Sequence, residues 1–218
     1  MYLSRLMLNP QSRQVQRETI NPYQMHRTIM RGFAHRRDQA SALHRLDVHP
    51  RSGAITLLVQ SLAEPDWEWL AERDYLLPAD PLGGLENPAV KSFDLRLRAN
   101  QVLNFRLRAN PTIKKVRRDE RGERRNSNRV PLVHAEQQAA WLERRADENG
   151  FRLLQVDVGQ SQELVGHKEE SGRPITVYTV QFDGRLQVAD PARLRQAVAK
   201  GIGPAKAFGC GLLSLAAA

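Results

Sequence analysis

The stretch that decides the fold is residues 102–109, VLNFRLRA. Its apolar side chains Leu103, Phe105 and Leu107 alternate with polar ones, two of which are arginines. A period of two is typical of a β-strand with one face on a core and the other in solvent. We therefore expect a strand here, and the flanking sequence indicates that it opens the second of two similar units.

Downstream, the pattern continues as helix, strand, strand, helix and strand. A helix is predicted at 134–149, closed by Gly150 at the position where a left-handed backbone commonly ends a helix. Asp190 and Pro191 supply the N-cap and first-turn residues of a second helix that runs to Lys200. The strands are predicted at 151–158, 175–182 and 212–215.

The same order occurs upstream. Asn21 and Pro22 predict the start of a helix running to about Phe33, and Asp66 predicts the cap of a shorter one. The strands are predicted at 2–9, 43–49, 54–61 and 90–95. Both halves thus follow the βαββαβ pattern. The sequence predicts an α+β protein of two tandem ferredoxin-like (RRM-like) domains, residues 1–96 and 97–218.

The composition favours a soluble protein with a polyanionic partner. Of the 218 residues, 41% are hydrophobic, and 33 Lys and Arg against 24 Asp and Glu give a formal charge of +9. Charge alone leaves nucleic-acid binding and an ordinary solvated surface as equal alternatives. The single cysteine, Cys210, allows no internal disulfide, and no segment approaches the roughly 20 apolar residues of a membrane span. We expect a cytoplasmic protein with no membrane partner.

The most basic stretch, residues 114–129, is too polar to belong to a core. It contains Lys114, Lys115, Arg117, Arg118, Arg121, Arg124, Arg125 and Arg129. We predict a mobile loop that becomes ordered on an RNA backbone, since basic disordered segments commonly fold on binding. The alternative is a solvated loop with no partner. Arg106 and Arg108, on the polar side of their strand, leave a similar choice between phosphate contacts and a solvated face.

A glycine-rich segment, GIGPAKAFGCG, occupies residues 201–211. Its glycines would let backbone amides approach an anion, and Lys206 adds a charge. It is not a dinucleotide fingerprint, because it follows a predicted helix, and it lacks the GK[ST] of a P-loop. Taken alone, the segment favours a structural turn.

The helix predicted from Asn21 carries a possible catalytic group. At 3.6 residues per turn, Tyr23, His26, Arg27 and Arg31 lie near one face. Cleavage of RNA without a metal needs proton transfer at the 2′-hydroxyl and the 5′-oxygen, and stabilisation of charge on the phosphorane. Imidazole, with a pKa of about 6.5, can transfer either proton. A lone helical histidine is nevertheless more often an ordinary surface or capping residue, as we expect for the other histidines.

Together these segments resemble the CasE family, the repeat-processing ribonucleases of type I-E CRISPR systems. The resemblance covers nearly the whole chain and rests on the order and spacing of several motifs. They are YLSRLMLNP at 2–10, PYQMHRTIM at 22–30, LLVQS at 57–61 with PDW at 65–67, FRLRANPTIK at 105–114, RVPL at 129–132 and GIGPAKAFGCGLLSLA at 201–216.

The resemblance implies an endoribonuclease that cuts CRISPR precursor RNA once, at the 3′ base of the repeat stem-loop, by attack of the 2′-hydroxyl. The products would be a 2′,3′-cyclic phosphate or 3′-phosphate and a 5′-hydroxyl. No metal or cofactor is implied. The mature guide RNA would stay bound, and the other Cascade subunits would be partners of a protein that is monomeric when alone.

Carried over residue by residue, the resemblance assigns His26 as the catalytic histidine and Tyr23 as its companion. Arg27 and Arg31 would stabilise phosphate charge. The glycine signature matches Gly201, Gly203, Gly209 and Gly211, which changes the interpretation of that segment to an RNA-backbone contact. The hairpin of the second half would reach the stem through Lys168 and Arg173.

Three other interpretations remain open. A module similar to RNA-recognition folds would bind RNA without cutting it, although the chain lacks the RNP1 pattern of ordinary single-strand readers. A non-cleaving RNA-binding scaffold of the same superfamily would bind equally well without needing His26. A metal-dependent nuclease would need clustered carboxylates, and Asp183, Asp190, Glu169 and Glu170 form no recognisable motif.

Overall fold

The computed structural model contains two four-stranded antiparallel sheets. It describes residues 1–80, 84–114, 117–118, 124–125, 129–167 and 174–218. Each sheet packs on its own cluster of buried apolar side chains, one built from residues 6–76 and one from residues 103–213.

The first sheet has the strand order β2-β3-β1-β4, which is the ferredoxin-like order. Its strands and helices are β1 (Tyr2–Leu8), α1 (Arg13–Ile20), α2 (Pro22–Arg31), α3 (Arg37–Ala40), β2 (Leu43–Val48), β3 (Ile55–Ser61), α4 (Glu68–Ala71) and β4 (Ala89–Ser92). The predicted strands and the helix from Pro22 are therefore present, with ends that differ by at most three residues.

The helix α1 was not predicted, because its sequence RQVQRETI carries little apolar pattern. Val15 and Glu18 are its buried side chains, and Glu18 is held there by hydrogen bonds rather than by apolar contact. Asn21 ends α1 and precedes α2, yet its side chain does not cap α2 as predicted. It bonds instead with the backbone of His167, accepting from its N–H at 3.2 Å and donating to its carbonyl at 3.4 Å.

The second sheet has the equivalent order β10-β11-β5-β12, so the tandem ferredoxin-like architecture is confirmed. The elements of the second half begin with β5 (Val102–Ala109), β6 (Thr112–Lys114), β7 (Arg117–Arg118), β8 (Arg124–Arg125), β9 (Arg129–Pro131) and α5 (Ala135–Glu148), where β6 pairs with β9 and β7 with β8 in two small sheets of their own. They continue with β10 (Phe151–His167), β11 (Pro174–Val188), α6 (Pro191–Lys200), a 3₁₀ turn (Lys206–Phe208) and β12 (Leu213–Ala217).

The strands β10 and β11 are about twice as long as predicted. Their pairing shifts register between Leu153 and Gln155 and between Val158 and Ser161. Such bulges break the alternation of apolar and polar residues on which the prediction relied. The prediction of a strand at 151–158 therefore stopped at the second bulge, although the pairing continues to His167.

The basic stretch is not simply a loop. Lys114 pairs in register with Arg129 between β6 and β9, and Arg117 and Arg118 pair with Arg125 and Arg124 between β7 and β8. The prediction of an unstructured loop is therefore wrong for these backbone positions. None of the described helices has the length and apolar run needed to cross a membrane.

Candidate active site

The helix α2 presents the predicted group of side chains on one surface. Its opposite face buries Met25, Thr28 and Ile29 against the first core. A cleft of about 540 Å³ beside the helix is lined by Tyr23, His26, Arg27, Met30, Arg31 and Arg37. The structure thus brings all four predicted residues of this helix to one cleft, with Arg37 of α3 beside them.

His26 is half-buried, and its Nδ1 has no hydrogen-bond partner in the described part of the chain. Burial lowers the pKa of His26 below its ordinary value of 6.5, because the charged imidazolium loses hydration. The imidazole is therefore largely neutral at neutral pH in the free protein. A neutral imidazole can accept a proton from a hydroxyl.

His44 of β2 lies against His26, an arrangement that the sequence did not indicate. The two ring centroids are 5.9 Å apart. Burial, with smaller contributions from the nearby His26 and Arg108, lowers the pKa of His44 to about 3. We predicted His44 to be an ordinary structural or surface residue and missed this contact. Alternation along a strand can indicate that a residue is buried, but it does not show which residue it packs against.

The position of Tyr23 depends on the second half of the chain. Its ring lies 6.5 Å from that of Phe208, at the end of the 3₁₀ turn. Gly166 of β10 leaves room for both, since a Cβ there would lie 2.6 Å from the Phe208 ring and 3.2 Å from the Cβ of Tyr23. Together with the Asn21–His167 hydrogen bonds, these contacts fix the start of α2 against the β10–β11 hairpin.

The two arginines of α2 are exposed and differ in their surroundings. Arg27 donates from Nη1 to Oε1 of Gln24 at 3.3 Å. The guanidinium carbon of Arg31 lies 4.5 Å from the centre of the Trp69 ring, and that of Arg73 lies 5.6 Å from the same ring. Trp69 therefore holds Arg31 by a cation–π contact, which sequence spacing could not show.

A buried carboxylate fixes the angle between α1 and α2. Oε1 of Glu18 accepts hydrogen bonds from Thr28 at 2.7 Å and from Gln14 at 2.8 Å, and Oε2 accepts from the Tyr75 hydroxyl at 2.7 Å. Burial and this carboxylate raise the pKa of the Tyr75 hydroxyl, so it remains a donor. The network orients α2 from the side opposite the cleft.

The glycines of residues 201–211 are required by the backbone itself. Gly201, Gly203, Gly209 and Gly211 all have positive φ. Gly209 and Gly211 are buried, and Ile202 and Gly211 are joined by a hydrogen bond from the Ile202 N–H to the Gly211 carbonyl. Lys206 is exposed and donates to the carbonyl of Lys200. Packing explains these glycines, and an RNA contact there stays a prediction.

The remaining predicted RNA-binding residues are spread along the second half. Lys114 and Arg129 are exposed and face each other across β6 and β9. Arg117 and Arg118 form β7. Lys115, Lys168 and Arg173 lie outside the described residues. Within the part of the chain that is described, no three His, Cys, Asp or Glu side chains are grouped so as to hold a metal ion.

Comparison with known proteins places the chain in a family. The family model described as "CRISPR associated protein" matches residues 1–217. The CRISPR-associated endoribonuclease Cse3 of Thermus thermophilus is 36% identical over 228 residues, covering 99% of this chain and 100% of Cse3. The Cascade subunit CasE of Escherichia coli is 40% identical over 131 residues, which are 58% of this chain and 63% of CasE.

A solved structure shows the same fold. Thermus thermophilus Cse3, bound to an RNA representing a pre-cleavage complex, superimposes with a TM-score of 0.82 at 36% identity, covering 99% of this chain and 98% of that one. The similarity therefore extends over both sheets, including α2 and the glycine-rich segment. This chain belongs to the CasE family of CRISPR-associated proteins.

Proposed function

We propose that this chain is a metal-independent endoribonuclease that cuts CRISPR precursor RNA at the 3′ base of the repeat stem-loop. The observation that carries the proposal is His26, a half-buried imidazole of lowered pKa that shares a cleft with Tyr23 and three arginines. The full-length similarity to an endoribonuclease, and to its RNA-bound structure, supports it.

In the proposed reaction, the ribose 2′-oxygen attacks the adjacent phosphorus and the bond to the 5′-oxygen breaks. The lowered pKa of His26 favours its role as the acceptor of the 2′-hydroxyl proton. The departing 5′-oxygen takes up a proton from solvent water, which leaves a 5′-hydroxyl and a 2′,3′-cyclic phosphate. Tyr23 contacts the reacting group from the same cleft.

The developing negative charge on the phosphorane would be stabilised by Arg27 and Arg31. Guanidinium groups suit this task because their planar donors match two phosphate oxygens at once. Trp69 keeps the Arg31 side chain beside the cleft, which reduces the entropy lost when the phosphate binds.

The bound RNA would extend from this cleft onto the second half of the chain. We assign the stem contacts to the basic stretch at residues 114–129, the end of the β10–β11 hairpin and the glycine-rich segment, as expected from the sequence. These contacts are Lys114, Lys115, Arg117, Arg118, Arg129, Lys168, Arg173, Gly201, Gly203, Lys206, Gly209 and Gly211. A-form RNA offers mainly phosphates and shape to such groups.

After cleavage, the guide RNA would stay bound and join the chain to the other subunits of a Cascade complex. A relative named as a Cascade subunit supports this part of the proposal. The protein would act in the cytoplasm, as a monomer when alone, with domains at 1–96 and 97–218. A non-cleaving scaffold of the same family is the alternative that the experiment must distinguish.

The test uses a labelled CRISPR-repeat hairpin in EDTA with wild type, His26→Ala and the control His134→Ala. His134 is exposed and its side chain makes no capping hydrogen bond. We expect wild type and His134→Ala to cut, and His26→Ala to bind the hairpin but cut at least about 100-fold more slowly.

A hairpin with a 2′-deoxy nucleotide at the cut should bind and remain intact. Loss of cutting in EDTA would favour a metal-dependent nuclease. Tight binding with no cutting by wild type would favour the scaffold.

A further inference from the structure

The two arginines on the polar side of β5 have different surroundings. Arg106 forms an ion pair with Asp183, with 2.6 Å between Nε and Oδ1. Arg108, two residues further along, is half-buried. Its guanidinium has no hydrogen bond or ion pair with any residue that the structure describes. A partly buried cation without a counterion is costly and requires explanation.

Arg108 lines a second cleft, of about 340 Å³, between the two halves of the chain. The helices α1 and α2 and the strand β2 form one side, and β5, β10 and the glycine-rich segment form the other. Gln162 and Thr19 add polar groups, while Phe208 and Met25 add apolar surface. The cleft is therefore a partly enclosed, partly polar space with a cation on its wall.

His44 provides an independent indication that this cleft takes a ligand. It lines the cleft, its side chain is only 2% exposed, and its Nδ1 has no hydrogen-bond partner among the described residues. Buried polar atoms are usually paired, so an unpaired one on a side chain that lines a cavity suggests a group that binds there. Neutral imidazole has one N–H to donate to an anion.

The charge in the cleft favours an anion. Glu18 also lines it, but both of its carboxylate oxygens already accept hydrogen bonds, from Gln14, Thr28 and Tyr75. Arg108 carries a positive charge that no described carboxylate neutralises by contact. A phosphate would supply that charge and could accept two guanidinium N–H bonds together.

We propose that this second cleft binds a backbone phosphate of the RNA, with Arg108 as the charged donor and His44 as a neutral one. His44 also contacts His26, which lines the first cleft, so the two phosphate positions are neighbours along one strand. The RNA would thus pass between the two sheets on one side of the cut. This inference rests on the proposed function, because it takes the same RNA as the ligand.

The test compares Arg108→Ala with Arg106→Ala, which removes the same charge from the same strand. Binding of the 2′-deoxy repeat hairpin, which cannot be cut, is measured over a range of salt concentrations. Arg108→Ala should weaken binding about tenfold and lower the slope of log Kd against log salt by about 0.7, as expected for one lost phosphate contact in a single strand. Arg106→Ala should change the affinity less than about twofold, because its charge is already paired.

A second measurement identifies the phosphate. In a series of hairpins, one linkage at a time is replaced by a neutral methylphosphonate. At one position near the cut, this replacement should weaken RNA binding by wild type but cause no further loss of binding by Arg108→Ala. Arg108→Lys keeps the charge and is a control for a folding defect in Arg108→Ala. Its affinity for the hairpin should lie between those of wild type and Arg108→Ala.

Equal effects of Arg108→Ala and Arg106→Ala, with wild type binding and cutting normally, would overturn this inference and leave the proposed function standing. Failure of wild type to bind the hairpin at all would overturn both.

Discussion

The imidazole rings of His26 and His44 lie 5.9 Å apart with their planes inclined by only 21°, and Nδ1 of each is buried without a hydrogen-bond partner among the described residues. His44 is buried on β2 and lines the second cleft, whereas His26 lines the cleft beside α2. Protonation of either ring would place a positive charge next to the other. The pair therefore favours the neutral state of both histidines.

The free protein should show His26 titrating below pH 6.5, because burial removes hydration from the imidazolium. Its ring signals in an NMR titration, assigned by their loss in His26→Gln, would give the value directly. An inflection at or above pH 6.5 would contradict the lowered pKa on which we base the proton-accepting role of this residue.

His44 should make the protein less stable in mild acid. The unfolded chain binds a proton near pH 6.5, whereas the folded chain does so only near pH 3. Above pH 6.5, His44 therefore causes no loss in the free energy of unfolding. As the pH falls below 6.5, the free energy of unfolding decreases, by about 2 kcal/mol at pH 5. Urea unfolding of wild type and His44→Phe at pH 7.5 and pH 5 would test this. The variant should lose less stability between the two values, and an equal loss would show that His44 is not the cause.

Trp69 should affect cleavage through Arg31. Its ring lies 4.5 Å from the guanidinium carbon, a contact that contributes about 0.5–2 kcal/mol. Trp69→Leu should slow single-turnover cleavage by about 2- to 30-fold, and Trp69→Phe by less, since phenylalanine keeps an aromatic face. In an Arg31→Ala background, Trp69→Leu should have no further effect. Additive losses would mean that Trp69 acts independently of Arg31.

Two glycines with the same φ of +77° should differ in their sensitivity to alanine. At Gly209 the nearest heavy atom to an added Cβ is 3.6 Å away, so Gly209→Ala should cost about 1–2 kcal/mol from the backbone alone. At Gly201 the Cβ would lie 2.7 Å from the Leu43 side chain and 3.1 Å from the Gly211 carbonyl oxygen, so Gly201→Ala should cost more. Urea unfolding without RNA separates these costs from any loss of binding, and a larger cost at Gly209 would contradict the packing argument.

Local patterns predicted the fold well where one physical rule acted alone. Alternation located β5 at its observed bounds, and Asp190 caps α6 as expected, accepting from the N–H groups of Ala192 and Arg193. Gly150 has the positive φ predicted after α5. The failures arose where contacts distant in sequence decide the structure. The pairing of β10 with β11 continues beyond two register shifts, and hydrogen bonds to Glu18 stabilise α1.

The candidate site was predictable to the same degree. Helical spacing was enough to group Tyr23, His26, Arg27 and Arg31, because residues three to four apart share a face. The contacts of His44 and Trp69 with that group join segments 18 and 38 residues away, which no local pattern encodes. Arg106 and Arg108 look equivalent in the sequence, and Asp183 on a neighbouring strand distinguishes them.

The helix α2 belongs to the first half of the sequence, but its first turn packs against the second half. Tyr23 contacts Gly166 and Phe208, and Asn21, which precedes the helix, is hydrogen-bonded to His167. The two halves therefore constrain each other's sequence at this contact, although each has its own core. Recombination that exchanged one half for that of a distant relative could preserve both sheets and still misplace His26. Within the family, residues on the two sides of this contact between the halves should change together in evolution, even though they are more than 140 positions apart in the chain.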